Sequence, residues 1–174
     1  MHQLLKPNNI KLHFQIETAC LSALKVFLLG CELVTKQKPS FCVLKYNSLI
    51  FTCFYSGHIN VTGIKTLENI CQCVESFASK TNIPLQSFSA PVVDNISAKY
   101  ETKKQKINLN ILKSSLVKDS RIISLKYNRE RFPGLFIKTL MGTVIWFPTN
   151  SIISVGSKNT SDLSFLDNLI KQYE

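Results

Sequence analysis

The chain has 174 residues, 45% of them hydrophobic, enough to bury a core in one domain or in two small repeats. Its net charge of +10 points to a polyanionic partner, nucleic acid or an acidic membrane surface. Residues 1–88 carry +4 and residues 89–174 carry +6, which excludes a basic tail as the source of the charge.

In chain order, "NIKLHFQIE" (9–17) alternates and is rich in β formers, the pattern of a strand. "TACLSALKVFLLG" predicts a helix ending at Gly30, a position that suits a C-terminal cap. "FCVLKY" and "LIFTCFY" predict strands joined by a tight Asn47-Ser48 turn, and "HINVTG" a further short strand. "TLENICQCVESFASKTN" sets Leu67, Ile70, Cys71, Val74, Phe77 and Ala78 on one helical face. The second half follows the same order. "VVDNISAKYE" predicts a strand, "INLNILKSSL" has no decisive period, and "GLFIKTL", "TVIWF" and "SIISVG" predict strands. "SDLSFLDNLIKQY" predicts a terminal helix with Leu166, Leu169, Ile170 and Tyr173 on one face.

The repetition is also visible in the letters. "FYSGHINVTGIK" (54–65) aligns with "FPTNSIISVGSK" (147–158), "PSFCVLKY" with "ERFPGLFIK", and "NNIKLHF" with "DNISAKY". Two copies of a period of about 86–93 residues are too long for a solenoid and predict a pseudo-symmetric fold, with repeats at 1–88 and 89–174.

Other classes find little support. The six cysteines all fall in the first half, and no signal peptide precedes them; they are expected as reduced, apolar thiols. Cys71 and Cys73 are one residue apart with no second such pair, so no zinc site is expected. "VFLLGCELV" is too short and too polar for a membrane span. There is no P-loop, no paired carboxylates in a plausible cleft and no nucleophile–histidine arrangement, and His2, His13 and His58 have no catalytic context. The expectation is a non-enzyme with no cofactor, no metal and no small-molecule substrate.

At "YNRERFPGL" and "FYSGHINVTGIK" the chain resembles the TATA-box-binding protein family, and the resemblance runs from Asn9 to the last helix. It implies an α/β saddle: two pseudo-symmetric repeats forming a curved antiparallel sheet, with helices on the upper face and DNA beneath. It implies that Phe132 and Phe147 are wedges that enter the minor groove at one end of the site, and Phe41 and Phe54 at the other. Asn9 and Asn95 align with the family's central asparagines, which donate to base acceptors. Thr62, Ile145, Ile153 and Val155 align with the groove floor, and Lys65, Lys138 and Lys158 with phosphate-facing positions. The stretch before Phe-Pro-Gly, here Arg129, Glu130 and Arg131, aligns with the family's docking point for transcription factor IIB. The implied partners are A·T-rich duplex DNA, factor IIB-like and IIA-like proteins and the RNA polymerase machinery, with no membrane. The implied location is the nucleus, or the replication compartment were the chain viral.

The sequence departs from the family pattern. Lys11 and Ser97 replace a valine two residues after each central asparagine. Asn60 replaces an apolar residue, Val155 a threonine, and His58 and Ser151 a lysine. The phenylalanines are 13 and 15 positions apart, closer than in the family. These changes mark a divergent relative, of the kind a virus or compact parasite genome carries. Two rival classes remain: the same fold as a protein-interaction scaffold with weakened DNA binding, and a hotdog-like or other helix-on-sheet enzyme. The latter leaves the paired phenylalanines unexplained.

Overall fold

The computed structural model describes residues 5–101, 106–149 and 151–173; His2 and Asn150 fall outside them. The chain divides into two compact units. One is Asn9–Asp94; the other runs from Asn95 onward and includes the described residues up to Asn8.

The first unit contains most of β1 (Lys6–Gln15), then α1 (Leu21–Gly30), β2 (Val34–Gln37), β3 (Phe41–Tyr46), β4 (Leu49–Phe54), β5 (His58–Ile64) and α2 (Asn69–Thr81). Its strands lie in the order β2-β3-β4-β5-β1, each antiparallel to its neighbour. The alternation predicted for β1 is present: Ile10, Leu12 and Phe14 are fully buried, whereas Asn9, Lys11 and His13 are not. Val61 and Ile59 of β5 and Phe51 and Cys53 of β4 join the same core. Phe77 of α2 closes it, its ring stacked 4.8 Å from Phe51 and edge-on to Phe14 at 5.9 Å. Each such buried side chain contributes about 1.5–3 kcal/mol.

The β3–β4 hairpin turns as predicted on Asn47 and Ser48, whose φ values of 49° and 64° are the left-handed pair that a two-residue type I′ turn requires. Helix α1 ends at Gly30 as expected, though without a left-handed cap. Cys31 leaves in an extended conformation with φ −89° and ψ 116°. The buried face of α2 is Cys73, Val74, Phe77, Ala78 and Thr81. Cys71, expected on that face, sits in the first turn and points to solvent, because the stripe begins one turn later on Cys73 and Val74. All six cysteines are free. Burial pushes the Cys73 thiol up to about 12, and burial beside Cys42 raises that of Cys53 further, so both behave as apolar groups.

The second unit contains β6 (Val92–Glu101), α3 (Leu109–Leu116), β7 (Ile122–Asn128), β8 (Phe132–Thr139), β9 (Thr143–Trp146), β10 (Ser151–Ser157) and α4 (Thr160–Tyr173). Its strand order, β7-β8-β9-β10-β6, matches the first unit strand for strand. "INLNILKSSL" resolves as α3: the Asn108 side chain accepts from the Asn110 and Ile111 amides at 3.0 and 3.4 Å, and Leu109, Leu112 and Leu116 bury. On α4, Leu163, Leu166, Leu169 and Ile170 bury, while Tyr173 donates its hydroxyl to Asp119 at 2.9 Å. Asp119 also receives the Arg121 guanidinium, Nε to Oδ1 at 2.9 Å, which holds its carboxyl well below the usual range.

Candidate nucleic-acid interface

Strand alternation sends the residues between the core positions to the opposite face of each sheet, and the register aligns them in rows. In the first unit one row runs Lys36, Val43, Thr52, Asn60, His13 across β2, β3, β4, β5 and β1. In the second the corresponding row runs Lys126, Phe136, Ile145, Ile153, Lys99 across β7, β8, β9, β10 and β6. A neighbouring row holds Lys45, Ile50 and Thr62 in the first unit and Lys138, Thr143 and Val155 in the second. Thr62 in the first unit and Ile145, Ile153 and Val155 in the second therefore lie half-buried in equivalent rows, and in each unit the edge strand carries a lysine, Lys36 or Lys126.

The four phenylalanines form two contacts. Phe41 is directly across from Phe54, with ring centroids 5.5 Å apart. Phe132 and Phe147 approach to 5.7 Å, and Phe132 also lies 5.0 Å from Phe136. The two pairs are built differently. Leu135 pairs with Trp146, so one residue further out Gly134, not Phe132, is across from Phe147. Phe132 reaches Phe147 diagonally over Gly134, where an added Cβ would stand 2.7 Å from the Phe132 ring and 3.3 Å from that of Phe147. The register thus equates Phe41 with Gly134 and Lys45 with Lys138, a shift of two residues from the letter alignment of "PSFCVLKY" with "ERFPGLFIK". Phe132 is 37% exposed, a large apolar ring on a surface strand.

Asn9 and Asn95 occupy equivalent positions and make equivalent bonds. Between β1 and β5 the register slips so that Thr62 and Gly63 oppose one residue, Lys11. Between β6 and β10, Val155 and Gly156 likewise oppose Ser97. Both glycines have φ near +100°, at 106° and 92°, a conformation open to glycine at bulges of this type. The bulge turns the glycine amide out of the ladder, and the asparagine receives it: Gly63 N–H donates to Asn9 Oδ1 at 2.8 Å, and Gly156 N–H to Asn95 Oδ1 at 2.6 Å. Fixing the carbonyl oxygen aims the amide nitrogen elsewhere. Asn95 Nδ2 donates one hydrogen to Ser97 Oγ at 3.1 Å, and an amide nitrogen has two.

The first unit adds a cluster that sequence reasoning did not assemble. His13 Nδ1 lies 2.8 Å from Asp94 Oδ1, and since the carboxylate only accepts, Nδ1 carries the hydrogen. The His13 and His58 rings are 5.0 Å apart, and His58 is 6.0 Å from Phe54. His58 Nε2 donates to Asn60 Oδ1 at 3.2 Å. The period-2 spacing of His58, Asn60 and Thr62 was the available signal, but the link to His13 needs the β1–β5 register.

Lys65 and Lys158 are exposed just beyond β5 and β10, outside the rows. The Lys158 amide donates to Asp162 Oδ2 at 2.7 Å, while Asn159 Oδ1 caps α4 by accepting the Asp162 amide at 2.9 Å. Lys36 and Lys45 on the first unit's face, and Lys126 beside Lys138 on the second unit's, are unmarked in the sequence. Arg129, Glu130 and Arg131 form the exposed β7–β8 turn, held by Asn128, whose Oδ1 accepts the Glu130 amide at 3.1 Å. Among the described residues no group of three or more His, Cys, Asp or Glu is placed to hold a metal, and no helix is long and apolar enough to cross a membrane.

No family model matches the chain. Curated TATA-box-binding proteins of Thermoplasma volcanium and Thermoplasma acidophilum are each 26% identical to it over 149 residues, covering 82% of this chain and 78% of theirs. That of Picrophilus torridus is 24% identical over the same span. A solved structure, Methanococcus jannaschii TBP, matches with a TM-score of 0.70 at 16% identity over 98% of both chains. The fold is that of this solved structure, as the residues led one to expect, and in sequence the chain is similar to curated TATA-box-binding proteins.

Proposed function

We propose, for a chain related in sequence and fold to the TATA-box-binding proteins, a transcription-initiation factor that binds A·T-rich duplex DNA through the minor groove and bends it. The observation that carries this reading is the second-unit row, Phe136, Ile145 and Ile153 between Lys126 and Lys99, with Phe132 and Phe147 beside it. An apolar strip bordered by cations suits an opened minor groove. Its floor at A·T pairs carries acceptors only, while a guanine amino group would lose its water against isoleucine. Lysines on either side neutralise phosphates. Rings such as Phe132, already at the surface, serve as wedges that unstack a base step, most cheaply a flexible pyrimidine–purine step. Asn9 and Asn95, each with its oxygen bound to a glycine amide, present donors that match the base acceptors. The reading needs no reaction, and the protein acts where the DNA is, in the nucleus or a viral replication compartment. Factor IIB-like, IIA-like and polymerase partners complete it, with Arg129, Glu130 and Arg131 as the docking turn.

A second reading, a scaffold of the same fold with weak DNA binding, is favoured by the polar first-unit row of Thr52, Asn60 and His13. Mobility-shift titrations on A·T-rich and G·C-rich duplexes at two salt concentrations separate the two. The DNA-binding reading expects A·T preference and a steep loss with salt. Weak binding without base preference supports the scaffold.

A further inference from the structure

The two units place chemically different side chains at equivalent points of their corresponding sheet faces. Where the second unit pairs Ile145 with Ile153, the first pairs Thr52 with Asn60, and where the second continues to Lys99 the first continues to His13. The first-unit positions form a polar row that offers acceptors where the second unit offers none. Asn60 Oδ1 takes one hydrogen from His58 and keeps a second lone pair. His13, its Nδ1–H on Asp94, has Nε2 as an acceptor when neutral. The Thr52 hydroxyl accepts as well as donates. His13 is braced from outside by the Asp94 carboxylate and by its ring contact with His58, which in turn holds Asn60.

We propose that the first unit recognises the guanine 2-amino group in the minor groove, so that the protein reads one A·T-only half-site and one half-site that accepts G·C. The inference rests on the minor-groove reading above. In that groove the only donor that distinguishes G·C from A·T is the exocyclic N2–H, at the centre of the floor. An isoleucine pair leaves that hydrogen without water or partner, while a row of Asn, His and Thr acceptors satisfies it. The half-sites therefore differ in rule because the two rows differ in chemistry.

The test uses 2,6-diaminopurine, which adds the minor-groove amino group to an A·T-like pair. Three duplexes are compared by fluorescence anisotropy: A·T only, diaminopurine in one half, and diaminopurine in both halves. An A·T-only site is alike from either end, so the protein is able to turn its first unit toward a substituted half. The expected result is less than about a twofold change for one substituted half and about tenfold or more loss for two, the usual scale of a mispaired position. In Thr52→Ile/Asn60→Ile the first substitution already carries the loss. In Ile145→Thr/Ile153→Asn the doubly substituted duplex is bound nearly as well as the singly substituted one. Each variant is read as a ratio between duplexes, and the second keeps the test decisive if the first folds poorly. Equal losses at each substitution in wild type, or ratios unmoved in both variants, overturn the inference alone. If wild type prefers no A·T duplex over a G·C one, the minor-groove reading fails and this inference with it.

Discussion

The ring of Phe132 rests on the backbone of Gly134: a Cβ there would lie 2.7 Å from its Cε1. The glycine is required by that contact rather than by its backbone, which is not in the left-handed region. Gly134→Ala is expected to push the Phe132 ring off Phe147 and to press on Ile145, whose Cγ2 would lie 2.9 Å from the new methyl, at a stability cost of about 1–3 kcal/mol. Bending, followed by energy transfer between end-labelled dyes, should fall. Phe132→Ala should likewise reduce the bend while costing less stability than Phe77→Ala, for which about 3–5 kcal/mol is expected in urea titrations. Equal losses for the two phenylalanines would make Phe132 a core residue.

The asparagine–glycine clips separate folding from binding. Asn95→Ala removes the acceptor for the Gly156 amide and should cost about 1 kcal/mol. Asn95→Asp keeps that acceptor but loses both amide donors and adds a negative charge toward the DNA. Thermal unfolding of Asn95→Asp should stay near wild type while A·T duplex affinity falls. A variant that binds DNA as wild type does would show that Asn95 is only a clip.

Lys45 and Lys138 are equivalent by register. Each changed to alanine should reduce the slope of log K against log salt by about one unit, as should Lys65 and Lys158 if those reach phosphate. Because the last two lie outside the rows, an unchanged slope for them beside a reduced slope for Lys45 would place the phosphate track on the strands. A wild-type affinity independent of salt would refute every one of these assignments.

Asp119 links the start of β7 to the end of α4 through Arg121 and Tyr173. Its folded pKa lies below the unfolded value near 3.9, so the ionised form stabilises the fold above about pH 4, and that contribution is lost as pH falls toward the folded value. Asp119→Asn should be less stable than wild type at neutral pH, the gap narrowing from about pH 4 downward. A gap that widens on acidification contradicts the linkage.

The β7–β8 turn carries Arg129 and Arg131 around a single acid, Glu130. A basic partner face would meet like charge, so the expected factor IIB-like partner has an acidic docking surface. In pull-downs with and without DNA, Glu130→Arg should change recruitment of such a protein and leave DNA affinity unchanged. Altered DNA affinity with unchanged recruitment would move these arginines to the phosphate backbone.

Much of this was readable from the letters. Most of the elements and the tight turn on Asn47 and Ser48 follow from local patterns, and the pairing of the four phenylalanines from the resemblance. What escaped needs neighbours. β2, with one half-buried residue among four, has no alternation to betray it, and its row partner Lys36 looks like any surface lysine. Alternation tells which face a residue takes but not which residue lies opposite. The shared phenylalanine therefore aligned Phe41 with Phe132, while the strand pairing equates it with Gly134. Asn60 was legible as a departure; that it stands between Thr52 and His13 was not.

Leu5 is buried, and its amide donates to Asp167 on the last helix at 3.1 Å, where Lys171 pairs with the same carboxylate. Residues 5–8 thus belong with the unit that runs from Asn95 onward. During synthesis the Asn9–Asp94 stretch emerges whole and has its own core to collapse around, while Leu5 waits for more than 160 further residues before its partner exists. The order of manufacture is therefore inverted at one point: among the described residues the earliest translated is among the last to be housed, and a ribosome stalled before α4 would release a chain with a finished first unit and Leu5 still without its partner.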